Sequence, residues 1–149
     1  MHRTVRYQAA IVQNDHVLLL KVVDYASGDA FWLFPGGGRE ADETEEACVQ
    51  REIFEETCLH VAVERLLFEV PDIPEGIYQR LRTYLCRVLD GHARPGHEPE
   101  IDTAEHTTIR DVGWFDLRQP AIWDPLVLND PITYPLLQQL RHVLGYTGI

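Results

Sequence analysis

The sequence predicts an α/β sandwich of the α+β class, with a mixed sheet held between helices, and three observations point to it. The chain has 149 residues, of which 45% are hydrophobic; at this length one domain buries roughly 70% of the surface its unfolded form exposes, and two full domains do not fit. Short β-rich runs bounded by turn residues occupy most of the first two thirds. Two helical stretches interrupt and close them, giving the order strand, helix, strands, helix. Residues 1–149 are therefore read as a single domain, without internal repeats or a Ser/Gly linker.

Residues 4–14 and 16–24 are β-rich and meet at Asn14-Asp15, the signature of a hairpin, and residues 31–34 form a third short strand ending at Pro35. From Glu43 to Thr57 there is no Pro or Gly, while Glu, Ala, Gln and Arg abound. Asp42 followed three positions later by Glu45 reads as a capping box, so a helix is predicted over residues 43–57. Residues 61–70 and 77–89 read as strands around a Pro/Gly turn, and residues 107–117 as another after the loop at 91–99. Pro135 suits a first helical position, and Leu136, Leu137, Leu140, Val143 and Leu144 fall on one face before Gly145, which predicts a docking helix.

Charge narrows the functions open to such a domain. Thirteen Lys+Arg stand against 24 Asp+Glu, a formal net charge of −11, and this average field repels DNA and RNA. A phosphorylated small molecule that binds here needs a local cation. No apolar run approaches the ~18 residues of a membrane span, so neither nucleic acid nor membrane is an expected partner, and a cytoplasmic location is expected. Cys48, Cys58 and Cys86 match neither a disulfide framework nor a zinc knuckle and are read as reduced, interior thiols.

The stretch that carries chemistry runs from Phe34 to Leu59. Phe34-Pro35-Gly36-Gly37-Gly38 is followed by five residues, Glu43, seven residues, and Arg51-Glu52-Ile53-Phe54-Glu55-Glu56. Positions three and four apart share a helical face, so Glu52, Glu55 and Glu56 bring three carboxylates within one turn of each other. Like charges at this spacing repel and, near a helix carboxyl terminus, oppose the macrodipole. A divalent cation removes the conflict, and carboxylate oxygens are what Mg²⁺ or Mn²⁺ prefers. Glu43 and Arg51 stand about two turns apart, so the guanidinium reaches back to Glu43 or to the glycine loop, where a salt bridge is expected. Gly36, Gly37 and Gly38 allow a tight turn and close backbone approach to a ligand. A glutamate-rich helix is ordinarily a solvated face. The joint occurrence of these residue types at fixed offsets is, however, on the order of one chance in a hundred thousand or rarer under average usage.

At these residues the sequence resembles the Nudix hydrolase family. Its box reads Gly, five residues, Glu, seven residues, Arg-Glu, an aliphatic residue, any residue, Glu-Glu, any residue, Gly, aliphatic. Here it begins at Gly37 and closes at Leu59, with Cys58 in place of the box glycine and Asp42 where many members also have glycine. Cys58 either accepts a left-handed backbone at roughly 1 kcal/mol or ends the helix differently. The resemblance implies a Nudix-like α/β/α sandwich and a hydrolase of a nucleoside diphosphate linked to another group, such as ADP-ribose, a nucleotide sugar or a nucleoside triphosphate. It implies Glu52, Glu55 and Glu56 as ligands of Mg²⁺ or Mn²⁺, with Glu55 and Glu56 also catalytic. Glu43 and Arg51 become the pair that organises the loop, and Gly36 and Gly37 the loop itself. Metal-assisted attack of water on phosphorus then needs a carboxylate base, from the box or from a later loop. That loop offers Glu98, Glu100, Asp102 and Glu105, with His106 adjacent; Glu105, nearest the last strand, is the expected base.

Substrate contacts are read from residue type alone. Lys21, Arg39 and Arg82 are the expected phosphate-binding cations, and Phe31, Trp32 and Tyr84 can stack on a base, although strand aromatics more often pack in the core. The family likeness associates a proline about fifteen residues after the box with ADP-ribose hydrolysis, and Pro74 has that spacing, but Pro71 and Pro74 also suit an ordinary turn. Two other readings compete with the enzyme. One is a catalytically weak Nudix-fold domain that senses a ligand or binds a protein; the other is an acidic module that binds cations structurally and leaves the glycine loop without a purpose. The amino-terminal hairpin can pair across a two-fold axis, so a homodimer and an acidic monomer are both open.

Overall fold

The computed structural model of the protein describes residues 5–71, 79–96 and 107–146. Within them lie the strands β1 (Val5–Gln13), β2 (His16–Asp24), β3 (Ala30–Leu33), β4 (Gly36–Gly37), β5 (His60–Val70), β6 (Arg80–Asp90) and β7 (Thr107–Asp116), and the helices α1 (Glu45–Thr57), α2 (Pro125–Leu128) and α3 (Thr133–Leu144). Asn14 and Asp15 take φ of 52° and 64°. These left-handed values make a two-residue turn whose twist matches the flanking strands of the hairpin.

β1 is the hub of the sheet. It pairs in parallel with β6, from Val5 opposite Arg80 through Ile11 opposite Cys86, and antiparallel with β2 beside the hairpin turn and with β4. β2 also pairs antiparallel with β3 and β7, and β5 pairs antiparallel with β6. The parallel pair needs a long crossover between its strands, and the intervening chain carries β2, β3, the glycine loop, α1 and β5. Ala9, Ala10 and Ile11 are completely buried, as expected of a strand covered on both faces. Their alternation divides the core. Tyr7, Ala9, Ile11 and Leu18 pack with Val49 and Ile53 of α1, whereas Ala10, Val17 and Leu19 pack with Leu136, Leu137 and Leu140 of α3. The mixed sheet thus lies between helices, as the element order predicts.

Two helix starts differ from the sequence expectation. α1 begins at Glu45, with Thr44 as its cap: Thr44 has extended backbone, and its hydroxyl accepts the Ala47 N–H at 3.0 Å. Asp42 has φ 68° and is not the cap, and Glu43 lies before the helix. α3 begins at Thr133, because the Asp130 carboxylate accepts the N–H groups of both Ile132 and Thr133 at 2.8 Å. Pro135 is therefore the third helical residue, a position where no N–H is needed. Val143 is 38% exposed, unlike the buried Leu136, Leu137 and Leu140. The one-turn α2, the 3₁₀ turn Pro120–Ile122 and the two-residue β4 were not expected, since so few residues show no periodicity. Ile77 lies outside the described residues. Cys48 and Cys86 are buried and Cys58 is half-buried; none of the three forms a disulfide. Among the described residues no helix is long and apolar enough to cross a membrane.

Candidate active site

The glycine loop and α1 lie side by side, so that each of the three glycines meets a side chain of the helix. The Gly36 N–H donates to Glu56 Oε1 at 2.8 Å, and a Cβ placed on Gly37 would overlap the Glu52 carboxylate. Arg51 Nη2 donates to the Gly38 carbonyl at 3.2 Å, and the Glu40 N–H to Glu43 Oε1 at 3.0 Å. The loop is fixed from behind by β1. Tyr7 and Gln8 pair with Gly37 and Gly36, and a Cβ on Gly36 would strike the Tyr7 carbonyl and the Gln8 backbone. Glycine is needed at both positions because backbone lies on one side and a carboxylate on the other.

The glutamates do not lie on a solvated face. Glu52 is 0% and Glu56 5% exposed, on the same side of α1 as Cys48, Val49 and Ile53. A buried carboxylate must be paired or hydrogen-bonded to persist, and the partners here are the Gly36 amide for Glu56 and Arg51 for Glu52 and Glu55. Arg51 Nη1 donates to Glu52 Oε2 at 3.3 Å and to Glu55 Oε1 at 3.2 Å. On the other edge of the guanidinium, Nε and Nη2 grip the two oxygens of Glu43 at 2.7 and 3.0 Å. The hydrogen bond to Glu43 raises the Arg51 pKa well above its ordinary value against the opposing effect of burial, helped by the charges of Glu52, Glu43 and Glu55. One side chain thus links three carboxylates to the loop.

The carboxyl end of α1 is closed from outside the helix. Cys58 takes the left-handed conformation, φ 66°, and its N–H donates to the Phe54 carbonyl at 3.0 Å. The carbonyls of Glu56 and Thr57 accept the N–H groups of Gly96 and Arg94 at 2.9 and 3.0 Å.

The model of the NUDIX domain family matches residues 3–139. The chain belongs to the NUDIX domain family. Solved structures agree with this Nudix assignment. A MutT NUDIX hydrolase from Burkholderia pseudomallei is 29% identical, with TM-score 0.64, covering 92% of this chain and 97% of that one. An ADP-ribose pyrophosphatase from Streptococcus suis 89-1591 is 26% identical, with TM-score 0.66, covering 96% and 90%. A UDP-X diphosphatase, 20% identical with TM-score 0.68, shares the fold over 99% of this chain, which spans 66% of that longer protein.

A divalent cation goes with a Nudix box, and the residues present fit one. The candidate donors would all be oxygen, from the carboxylates of Glu52, Glu55 and Glu56, and Gly37 places no side chain of its own against Glu52. In the present arrangement, among the described residues, no three acidic, histidine or cysteine side chains converge closely enough to hold an ion; Arg51 holds Glu52 and Glu55 together.

The expected substrate contacts are dispersed over this Nudix scaffold. Arg39 is exposed and donates from Nη1 to the Glu43 carbonyl at 3.1 Å, beside the loop. Arg82 lies at the amino-terminal end of α1, donating to Glu45 at 3.1 Å and Glu69 at 3.2 Å. Burial, which lowers the Arg82 pKa, is outweighed by Glu69 and Glu45, so the net shift is upward. The Tyr84 hydroxyl meets the same Glu45. A cavity of about 470 Å³ lined by Thr44, Glu45, Glu46 and Tyr84 opens there. Lys21 stands opposite Trp32 in the sheet, its ammonium 5.9 Å from that ring, and Trp32 belongs to the core on the α3 side. Trp32 and Tyr84 are core residues, 7% exposed each, and Phe31 is half-buried. Glu98, Glu100, Asp102, Glu105, His106 and Pro74 lie outside the described residues. Sequence reasoning missed Glu40, whose carboxylate is 3.8 Å from Arg51 Nε, and the backbone contacts of Arg94 and Gly96. The only sequence signal for the latter was a Pro95-Gly96 dipeptide, which reads as loop.

Proposed function

We propose that the protein is a Mg²⁺- or Mn²⁺-dependent pyrophosphohydrolase that cleaves the diphosphate linkage of a nucleoside diphosphate derivative, such as ADP-ribose, a nucleotide sugar or a nucleoside triphosphate. The observation that carries this reading is the burial of Glu52 and Glu56 against a side-chain-free loop. Removing carboxylates from water costs several kcal/mol each, roughly, even after relaxation. Solubility alone would leave them exposed. The likeness to an ADP-ribose pyrophosphatase and to a MutT NUDIX hydrolase over nearly the whole chain supports the substrate class.

Glu52, Glu55 and Glu56 are the residues that would hold the cation. When bound, the ion supplies positive charge against the diphosphate and a water of lowered pKa. The chain's own residues do the rest. Gly36 and Gly37, lacking side chains, let the loop backbone lie directly against the glutamates of the helix, and the Gly36 N–H fixes the direction of Glu56. Arg51 keeps Glu43 and the loop in register with the helix. Arg39, exposed next to the loop, is our choice among the cationic side chains for meeting substrate phosphate, since the donors of Arg82 are directed at Glu45 and Glu69 and Lys21 lies on the α3 side. The proton of the attacking water passes to a carboxylate, from Glu55 or Glu56 on the helix or from Glu105.

Incubation with Mg²⁺ or Mn²⁺ and a panel of ADP-ribose, nucleotide sugars, nucleoside triphosphates and dinucleoside polyphosphates tests the reading. The expected result is release of a nucleoside monophosphate or of phosphate, reduced by roughly 100-fold or more in Glu55→Gln and Glu56→Gln, the scale of losing a positioned proton acceptor. Metal uptake with no product from any substrate, or an undiminished rate in Glu56→Gln, would overturn it.

A further inference from the structure

We propose that residues 91–96 form a backbone clamp that positions Glu55 and Glu56, and that Gly96 is the positioning residue on which it depends; the inference rests on the reading of α1 as the metal-binding helix. The last carbonyls of a helix have no partners within it. In α1 two of them are satisfied by the backbone of this distant segment: Gly96 N–H to Glu56 O at 2.9 Å, and Arg94 N–H to Thr57 O at 3.0 Å. The fit admits no side chain. A Cβ on Gly96 would overlap the Glu55 carbonyl oxygen and lie 2.8 Å from the Glu55 carbonyl carbon and 2.9 Å from that of Glu56. These are backbone atoms, which cannot swing aside as a flexible side chain would.

The approach of the segment is set by a second glycine. Gly91 follows directly on β6 with φ +100°, and a Cβ there would lie 2.8 Å from the Cys58 carbonyl oxygen. The chain therefore turns from the sheet straight across the helix end. That end needs an outside support: its last turn carries no basic residue, two carboxylates there oppose the macrodipole, and Cys58 replaces the glycine that usually caps such a turn. Glu55 and Glu56 leave from the stretch of backbone that the clamp covers, Gly96 lying against the Glu55 and Glu56 carbonyls and the hydrogen bonds falling on Glu56 and Thr57. Holding that stretch fixes where both side chains begin, and a freed last turn lets them diverge.

The test is Mn²⁺ affinity without substrate, from electron paramagnetic resonance of the unbound ion. Gly96→Ala is expected to weaken Mn²⁺ binding by roughly tenfold or more, the scale of losing support behind a metal ligand. Gly145→Ala is the control: the residue caps α3 at φ +88° with no atom within 4 Å of an added Cβ, so it destabilises through backbone strain and should leave Mn²⁺ affinity unchanged. An unaltered affinity in Gly96→Ala, or an equal loss in both variants, would overturn the clamp. Hydrogen exchange on the unaltered, metal-free protein tests it without a variant. The amides of Arg94 and Gly96 should be protected to the same degree as those of the last turn of α1, and exchange at unprotected rates would refute the proposal. If the unaltered protein takes up no Mn²⁺, the metal-binding reading fails, and the exchange result still decides whether the clamp exists.

Discussion

Arg51 gathers more of the site than any other side chain, and its removal has a calculable cost. With the guanidinium gone, the buried Glu52 and the partly buried Glu43 and Glu55 face one another without the cation that now touches all three. Breaking a buried ion pair from one side costs about 3–5 kcal/mol, so Arg51→Ala should unfold at a much lower urea concentration, with activity lost in what remains folded. Arg51→Lys should recover only part of the loss, since a point charge cannot fork between Glu43 and the glutamates of the helix. The eight-residue offset from Glu43 was enough to read this pair in the sequence. The reach to the glycine loop was legible too, and it is met at the Gly38 carbonyl; the contacts to Glu52 and Glu55 were not read, because Arg51 leaves the helix about 100° around from Glu52, on the side of Glu43. The burial of Glu52 was equally hidden: glutamates at helical spacing look the same whether they face water or a glycine backbone.

The helix α1 shows how a correct element can carry a wrong boundary. Asp42, Thr44 and Glu45 all have side chains suited to a helix start, and only the backbone decides among them. Asp42 turns left-handed, which keeps Glu43 in the loop where Arg51 meets it, and Thr44 becomes the cap. Thr44→Ala should therefore cost about 1 kcal/mol. Asp42→Gly should change stability by less than about 0.5 kcal/mol, because glycine takes the left-handed conformation without strain. Equilibrium urea unfolding of the two variants separates the assignments. At the far end, the sequence marks Cys58 as an anomaly in the box, and the backbone does adopt the left-handed form there. What the sequence does not show is that a segment more than thirty positions later supplies the missing partners: the Arg94 N–H reaches the Thr57 carbonyl.

For the molecule as a whole, the order of β-rich runs and helical stretches and the apolar stripe on α3 made the layered class legible. The strand order was not, since partner choice is made between segments remote in sequence, and the side of the sheet that Lys21 would occupy could not be read without it. The hairpin, the end of β7 and the last residues of the described chain are joined by a charged network. Arg118 donates to both oxygens of Asp116 at 2.9 and 3.0 Å and lies 3.6 Å from Asp15, whose carboxylate meets the Tyr146 hydroxyl. Hydrogen bonds from the Arg118 side chain and backbone hold Asp116 well below the usual carboxylate range. A carboxylate depressed in the folded state stabilises at pH values above its unfolded pKa of about 3.9 and loses that contribution as pH falls through the lower folded value. Asp116→Asn should therefore be less stable than the unaltered protein at neutral pH, and the gap between their urea midpoints should close as the solution is taken below about pH 4. The parallel pairing of β1 with β6 reaches further still. The buried Gln8 amide donates to the Thr83 hydroxyl across 75 positions of sequence, and Gln8 belongs to the same stretch that seats Gly36 and Gly37. Contacts that distant form late, after the entropy of a long closure has been overcome. A nascent chain that has emerged from the ribosome through Leu59 but not yet through Thr83 already carries every glutamate of the motif, yet lacks the strand that flanks the β1 backbone on which they are set.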